Sequence, residues 1–301
     1  MQPAQLVVVY CVFVAAASLA GGKLPTLIRL THARMQLLVS FVGGLMLGVG
    51  LFHMLPHAAI ELQSLDAVVL WTMAGLLTTF FLIRAFHFHQ HGSAEQHDVH
   101  DPRPVAEHDC GHDHDHDHDQ AHAGPPKHRL SWVGIGIGLG IHTLIDGAAL
   151  AASVDAESHG NSQSLILGLG TFLAVMAHKP LDAMSITSLM AAGGWSRSAQ
   201  RLVNGCYALM CPLGAALFWL GIRRLGGSPP MVVGGALGFA AGVFLCISLA
   251  DLLPEVQFHT HDRLKLSAAL LLGVALAWGI RYLEPRHAHP AVVETIRDSR
   301  G

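Results

Sequence analysis

Apolar residues run along this chain in long stretches. They lack both the alternation of half-buried strands and the three-and-four spacing of surface helices. Eight stretches, near 5–30, 36–58, 66–88, 130–152, 164–191, 200–221, 231–253 and 266–284, are bounded by polar or Pro/Gly-rich residues. A helix needs about 20 mostly apolar residues to cross a bilayer. The pattern therefore predicts an all-α fold, a polytopic membrane bundle of eight transmembrane helices. The first stretch contains AAASLAGG, which looks like a signal cleavage region. It lacks a basic leading region, however, and apart from Lys23 stays largely apolar through Ile28, so it reads as a span.

One long polar segment, 89–129, interrupts the spans and includes HDCGHDHDHDHDQAH. With almost no apolar side chains it has nothing to bury in a core, and a disordered loop is expected. The predicted organisation is helices 1–3 in 1–88, this loop in 89–129, helices 4–8 in 130–284, and a short polar tail in 285–301.

Composition agrees. Of 301 residues, 51% are hydrophobic and 13% charged, where a soluble domain carries roughly a quarter charged. A net charge of -3 gives no reason to expect a nucleic-acid partner. Five cysteines show no CxxC spacing and four lie in apolar stretches, so they read as packing residues. The outlier is histidine, with 22.

Basic residues set an expected orientation. With the N-terminus outside, the inner loops hold eleven Lys and Arg against six on the outer side, which favours both termini outside and the 89–129 loop in the cytoplasm. A weak repeat is also present. Span two ends GVGLFHMLPHA and span seven ends GVFLCISLADLLPEV. Each places a polar residue three before a proline (His53, Asp251) and another just after it (His57, Glu255). Paired irregular helices are a recurring plan of transporters, with the site between repeats. His53 and Asp251 read either as stations on a metal path or as caps for helix breaks at Pro56 and Pro254, with His57 and Glu255 nearer the interface.

The chemistry concentrates in two spans. Span four reads GIGIGLGIHTLIDGAALAA and span five TFLAVMAHKPLDAMSITS. His142 and Asp146 are four apart, as are His178 and Asp182, so each pair shares a helix face. Ionisable groups in mid-membrane are expensive and face an interior site. Two such helices packed together would offer two imidazoles and two carboxylates, a tetrahedral N/O set suited to zinc and tolerated by iron(II), cadmium, manganese or cobalt. Gly134, Gly136, Gly138 and Gly140 would let a neighbouring helix approach closely. Lys179 follows His178 and brings a fixed positive charge. It either stands where a second cation would sit or balances the carboxylates. In the loop, His112, His114, His116 and His118 alternate with Asp, which suits weak, multi-site metal capture.

These residues resemble the ZIP family of metal transporters. That pattern has eight spans in a 3+2+3 arrangement, a His-rich loop between spans three and four, and outward-facing termini. Its fourth-span H-N-x-x-D/E-G is matched by His142 through Gly147 except at Thr143. Its fifth-span H-E-x-P-E/H reads here His178-Lys179-Pro180-Leu181-Asp182, with the proline one place early. The resemblance implies a first metal site of His142, Asp146, His178 and Asp182. It also implies that the second site of two-metal members is replaced by Thr143 and Lys179. It further implies movement of metal toward the cytoplasm, with spans one, four, five and six rocking against the others.

The expected function is alternating-access transport of one divalent metal, zinc first. Metal enters from outside, dehydrates onto the four ligands and leaves past His53 or Asp251 toward the loop. Binding weakens as pH falls, because protons compete for imidazole. No cofactor, ATP hydrolysis or enzymatic reaction is expected, since neither a P-loop nor HExxH occurs. An efflux carrier with six spans and a soluble C-terminal domain fits poorly, and a metal sensor without transport stays open. The expected partners are the metal ion and the lipid bilayer, with a homodimer as an open assembly. The expected location is a bacterial inner membrane.

Overall fold

The computed structural model describes residues 2–24, 32–87, 131–158, 167–226, 229–258 and 263–282, with the side chains of 32, 86–87, 131–132, 135 and 251–258 outside that description. Among the described residues the chain is helical, without strands. The helices are α1 (Pro3–Gly21), α2 (His32–Val49), a π turn (Gly50–Met54), α3 (Leu55–Leu62), α4 (Leu65–His87) and α5 (Ser131–Ser158). They continue with α6 (Leu169–Ala192), α7 (Arg197–Ala208), α8 (Met210–Arg224), α9 (Pro230–Phe258) and α10 (Arg263–Ile280).

Among the described residues, seven helical stretches are long and apolar enough to cross a membrane. The remaining predicted span, the fifth, is α6, which has 24 residues but is not among the seven. Its middle is occupied by His178, Lys179 and Asp182, which dilute its apolarity. The large side chains left exposed, such as Val8, Phe13, Leu70, Phe81, Leu217 and Leu271, suit lipid as their solvent.

Proline explains the irregularities. Pro56 has no N–H for the Phe52 carbonyl, and the second span widens into the π turn just before it. Pro212 cannot bond back to Ala208, and the sixth span breaks at Leu209 between α7 and α8. Several boundaries differ from expectation. α1 ends at Gly21 and not near residue 30, α5 continues to Ser158, six residues past its predicted end, α9 to Phe258, five past, and α3 to Leu62, four past.

The helices sort into two groups. The four most extensive pairings are α2 with α10, α4 with α9, α5 with α8, and α1 with α6. One group is α1, α5, α6, α7 and α8; the other is α2, α3, α4, α9 and α10. Three of these pairings are sealed by reciprocal glycines, each against the partner's backbone: Gly44 with Gly273, Gly75 with Gly242, and Gly147 with Gly214. Small residues let helices approach where lipid offers no hydrophobic drive to association. The glycines before His142 do not all serve this way. A side chain at Gly140 would meet nothing within 4 Å, and the close approach comes two turns later, at Gly147. Between the groups lies an apolar core that includes Val14, Val49, Met54, Ala149, Val175 and Phe244.

Candidate metal centre

α5 and α6 pack side by side within the first group. Because i and i+4 share a helix face, α5 presents His142 and Asp146 to α6, and α6 presents His178 and Asp182 in return. α1 holds α6 in place. A side chain at Gly21 would fall 2.4 Å from Pro180 Cα, so the two backbones touch beside the site. His142, Asp146, His178 and Lys179 are all buried, with Asp146 fully inaccessible.

The donors converge. Nε2 of His142 lies 3.4 Å from Asp146 Oδ2. Nε2 of His178 lies 3.2 Å from the same oxygen and 3.8 Å from Asp182 Oδ2. His142, His178 and Asp182 each offer a ligand atom, all within 4.8 Å of one another. A tetrahedral zinc ion with ligands at about 2.1 Å holds them about 3.4 Å apart. The donor set is therefore close to the spacing a divalent cargo ion requires. His178 is already in the right form. Its Nδ1 is 2.8 Å from the Ala174 carbonyl, which only accepts, so the proton sits on Nδ1 and the Nε2 lone pair points into the site.

Among the described residues, Lys179 is one of the largest fully buried side chains. Its ammonium lies 2.5 Å from Asp146 Oδ2, 3.1 Å from Asp182 Oδ2, 3.0 Å from Thr143 Oγ1 and 3.3 Å from His178 Nε2. Thr143 Oγ1 is also 2.7 Å from both the Leu139 carbonyl and Tyr207 Oη. Tyr207 Oη in turn donates to Asp182 Oδ2 at 3.1 Å. Tyr207 was missed by sequence reasoning because the sixth span carries no charged or imidazole ligand at helical spacing from it to mark that face. Its link to Asp182 exists only once α7 packs against α6.

Residues 4–281 match the family described as ZIP zinc transporter. The chain belongs to the ZIP family. Zinc transporter ZIP9-B of Xenopus laevis is 32% identical over 128 residues, 41% of this chain and 40% of the relative. Zinc transporter ZIP9 of Macaca fascicularis is 31% identical over 125 residues, 40% of this chain and 51% of the relative. Metal cation symporter ZIP8 of Homo sapiens is 32% identical over 124 residues, 41% of this chain and 24% of the relative. The similarity thus spans about two-fifths of the length of the first of these curated relatives.

Elsewhere in this ZIP chain, His53 and His57 are buried but stand apart from the centre. His53 Nε2 donates to the Ala277 carbonyl at 2.8 Å, and its ring lies against Gly170. His57 pairs with Glu157 at 3.5 Å, and Glu157 also accepts from the Gly168 amide at 2.9 Å. Glu157 was missed because the fourth span was expected to stop short of it. It lies 15 residues along α5 from His142, about 22 Å at 1.5 Å per residue. Since α5 starts where the 89–129 segment ends, Glu157 and His57 lie toward the opposite end of the bundle. His53, near the C-terminal end of α10, lies there too. That is the wrong end for the exit leg expected of His53. Asp251 and Glu255 fall in the last turns of α9, and their side chains, like His112, His114, His116 and His118, lie outside the described residues. Cys11, Cys211 and Cys246 are buried free thiols, while Cys206 is exposed.

Proposed function

We propose that this ZIP chain carries a divalent transition metal, zinc first, through one intramembrane site of His142, Asp146, His178 and Asp182. The observation that carries the reading is the convergence of two buried imidazoles and the half-buried Asp182 carboxylate from two helices within 4.8 Å. Ionisable groups gathered in mid-membrane are expensive and mark a functional site. Iron(II), cadmium, manganese and cobalt suit the same donors. ZIP9 and ZIP8 carry names that denote zinc transport and metal cation symport, which supports the same cargo class here.

Transport runs toward the cytoplasm by alternating access. The division of the bundle supports a motion of α1 and α5–α8 against α2–α4, α9 and α10. With both termini outside and the 89–129 loop inside, as the basic residues favour, His53 and His57 belong to the entry side. Asp251 and Glu255 belong to the exit side, where His112, His114, His116 and His118 receive the ion. The membrane is a bacterial inner membrane. Lys179 and Thr143 stand in place of a second metal's ligands, so one ion moves per cycle.

The test is zinc entry into proteoliposomes, followed with an internal fluorescent indicator. Wild type fills the vesicles and His178→Ala, folded and inserted, does not. If wild type binds zinc but moves no metal across a range of pH gradients, the protein is a sensor and the transport reading fails.

A further inference from the structure

We infer that the Lys179 ammonium and the transported metal compete for the same donor atoms, so that Lys179 is a tethered cation which leaves its place when metal binds and returns when metal departs. The inference rests on the metal site proposed above and adds the mode of its occupation.

The contacts of Lys179 are the starting point. A charge-balancing lysine needs one carboxylate. This one reaches Asp146 Oδ2 and Asp182 Oδ2 together with His178 Nε2, at 2.5, 3.1 and 3.3 Å. Those are three of the four groups assigned to the metal, met through the atoms that would bind it. Thr143 Oγ1, at 3.0 Å, completes the surroundings of the ammonium.

The His178 ring gives a second, independent argument. Nδ1 donates to the Ala174 carbonyl, so in the neutral ring the lone pair is on Nε2. That lone pair lies 3.2 Å from the anionic Asp146 Oδ2. Two acceptors at this separation repel unless a cation lies against both. Lys179 fills that role through its contacts with both atoms. A metal ion bound to the same two atoms would fill it in the same way.

Both cannot fill it at once. A divalent ion coordinated by Asp146 and Asp182 uses up their negative charge, and an ammonium sharing the same oxygens would then face it across a few ångströms of poorly screened interior. The ammonium has a short retreat on its own side of the site. Tyr207 presents its ring 5.7 Å from Nζ, and aromatic faces attract cations at about that range. The Thr143 hydroxyl lies on the same side. The consequence for the carrier is that the two carboxylates, Asp146 buried and Asp182 half-buried, keep a cation near them in every state. The bundle can then change its access without exposing bare charge to the low-dielectric interior.

The experiment reads Lys179 directly. The chain holds four lysines, Lys23, Lys127, Lys179 and Lys265. In protein labelled with 15N-lysine and held in lipid nanodiscs, the buried ammonium is the one with slowly exchanging protons, and Lys179→Gln identifies it. Adding zinc to wild type shifts that resonance and speeds its proton exchange. Lys179→Gln, which keeps a donor on a side chain one atom shorter but removes the charge, binds zinc at least about tenfold more tightly than wild type. An unmoved Lys179 resonance at saturating zinc overturns the competition. An unchanged or weaker affinity in Lys179→Gln overturns it as well. The wild-type spectrum decides the matter even if the variant folds poorly. Failure of the underlying site is seen separately: zinc then binds equally well to His178→Ala, or does not bind wild type at all.

Discussion

Gly147→Ala is a one-carbon change with a magnitude that the packing supplies. The added Cβ would fall 2.0 Å from the Cys211 carbonyl oxygen and 2.9 Å from the Ala215 nitrogen, both backbone atoms of α8. An ordinary carbon–oxygen contact is about 3.4 Å, so α5 and α8 must separate by about 1.4 Å at this point. Overpacking of this kind costs about 1–3 kcal/mol, less up to about 1 kcal/mol regained from helix propensity. The displacement also reaches the metal centre, because the preceding residue is Asp146, whose oxygen lies 3.2 Å from His178 and 2.5 Å from Lys179. Gly140→Ala is the matched control on the same helix: its Cβ meets nothing within 4 Å. It keeps the propensity gain, up to about 1 kcal/mol, without the clash. The assay is thermal unfolding in nanodiscs with and without zinc, alongside a zinc titration. Gly147→Ala melts lower than wild type and binds zinc about tenfold or more weakly, while Gly140→Ala melts at or above wild type with the same affinity. If both variants melt together, the backbone contact of α5 with α8 does not position the site and the reasoning fails.

Two further substitutions probe residues that only the structure brought forward. Tyr207→Phe removes the hydroxyl that donates to Asp182 at 3.1 Å and meets Thr143 at 2.7 Å. It costs about 1–2 kcal/mol of stability and weakens zinc binding about tenfold by releasing Asp182, as calorimetry on the purified variant would check; an unchanged Kd rules Tyr207 out as the residue that orients Asp182. Glu157→Gln keeps an acceptor for the Gly168 amide but removes the charge facing His57. Zinc affinity at the centre, about 22 Å away along α5, stays at the wild-type value while proteoliposome uptake slows. Equal loss of affinity and uptake would place Glu157 in the same site as His178.

Much of this protein is legible before folding. Runs of apolar residues long enough to cross a bilayer leave little choice but helices, because lipid offers no partner for a free backbone amide. Prolines mark two of the places where the helices are disturbed, Pro56 and Pro212, but α6 runs through Pro180 and α9 through Pro254 without the break expected there. His142, Asp146, His178 and Asp182 declare themselves because charge in an apolar run is costly and helical spacing puts each pair on one face. What stays hidden follows from the same physics. A membrane helix is apolar on its lipid side as well as its core side, so its sequence carries no stripe to say which face turns inward or which helix it meets. The pairing of α5 with α8 through Gly147 and Gly214, the grouping of the helices, and the place of Tyr207 behind Asp182 are all decided by packing between distant segments. Glu157 is hidden for a simpler reason: the apolar run thins out before α5 ends, and only its backbone hydrogen bonds carry it on to Ser158. Lys179 is the sharpest case. In the sequence it is a positive charge next to a ligand histidine, with two roles left open. The tertiary structure puts its ammonium among Asp146, Asp182, His178 and Thr143, because the reach of a four-carbon side chain becomes a position only when two helices close around it.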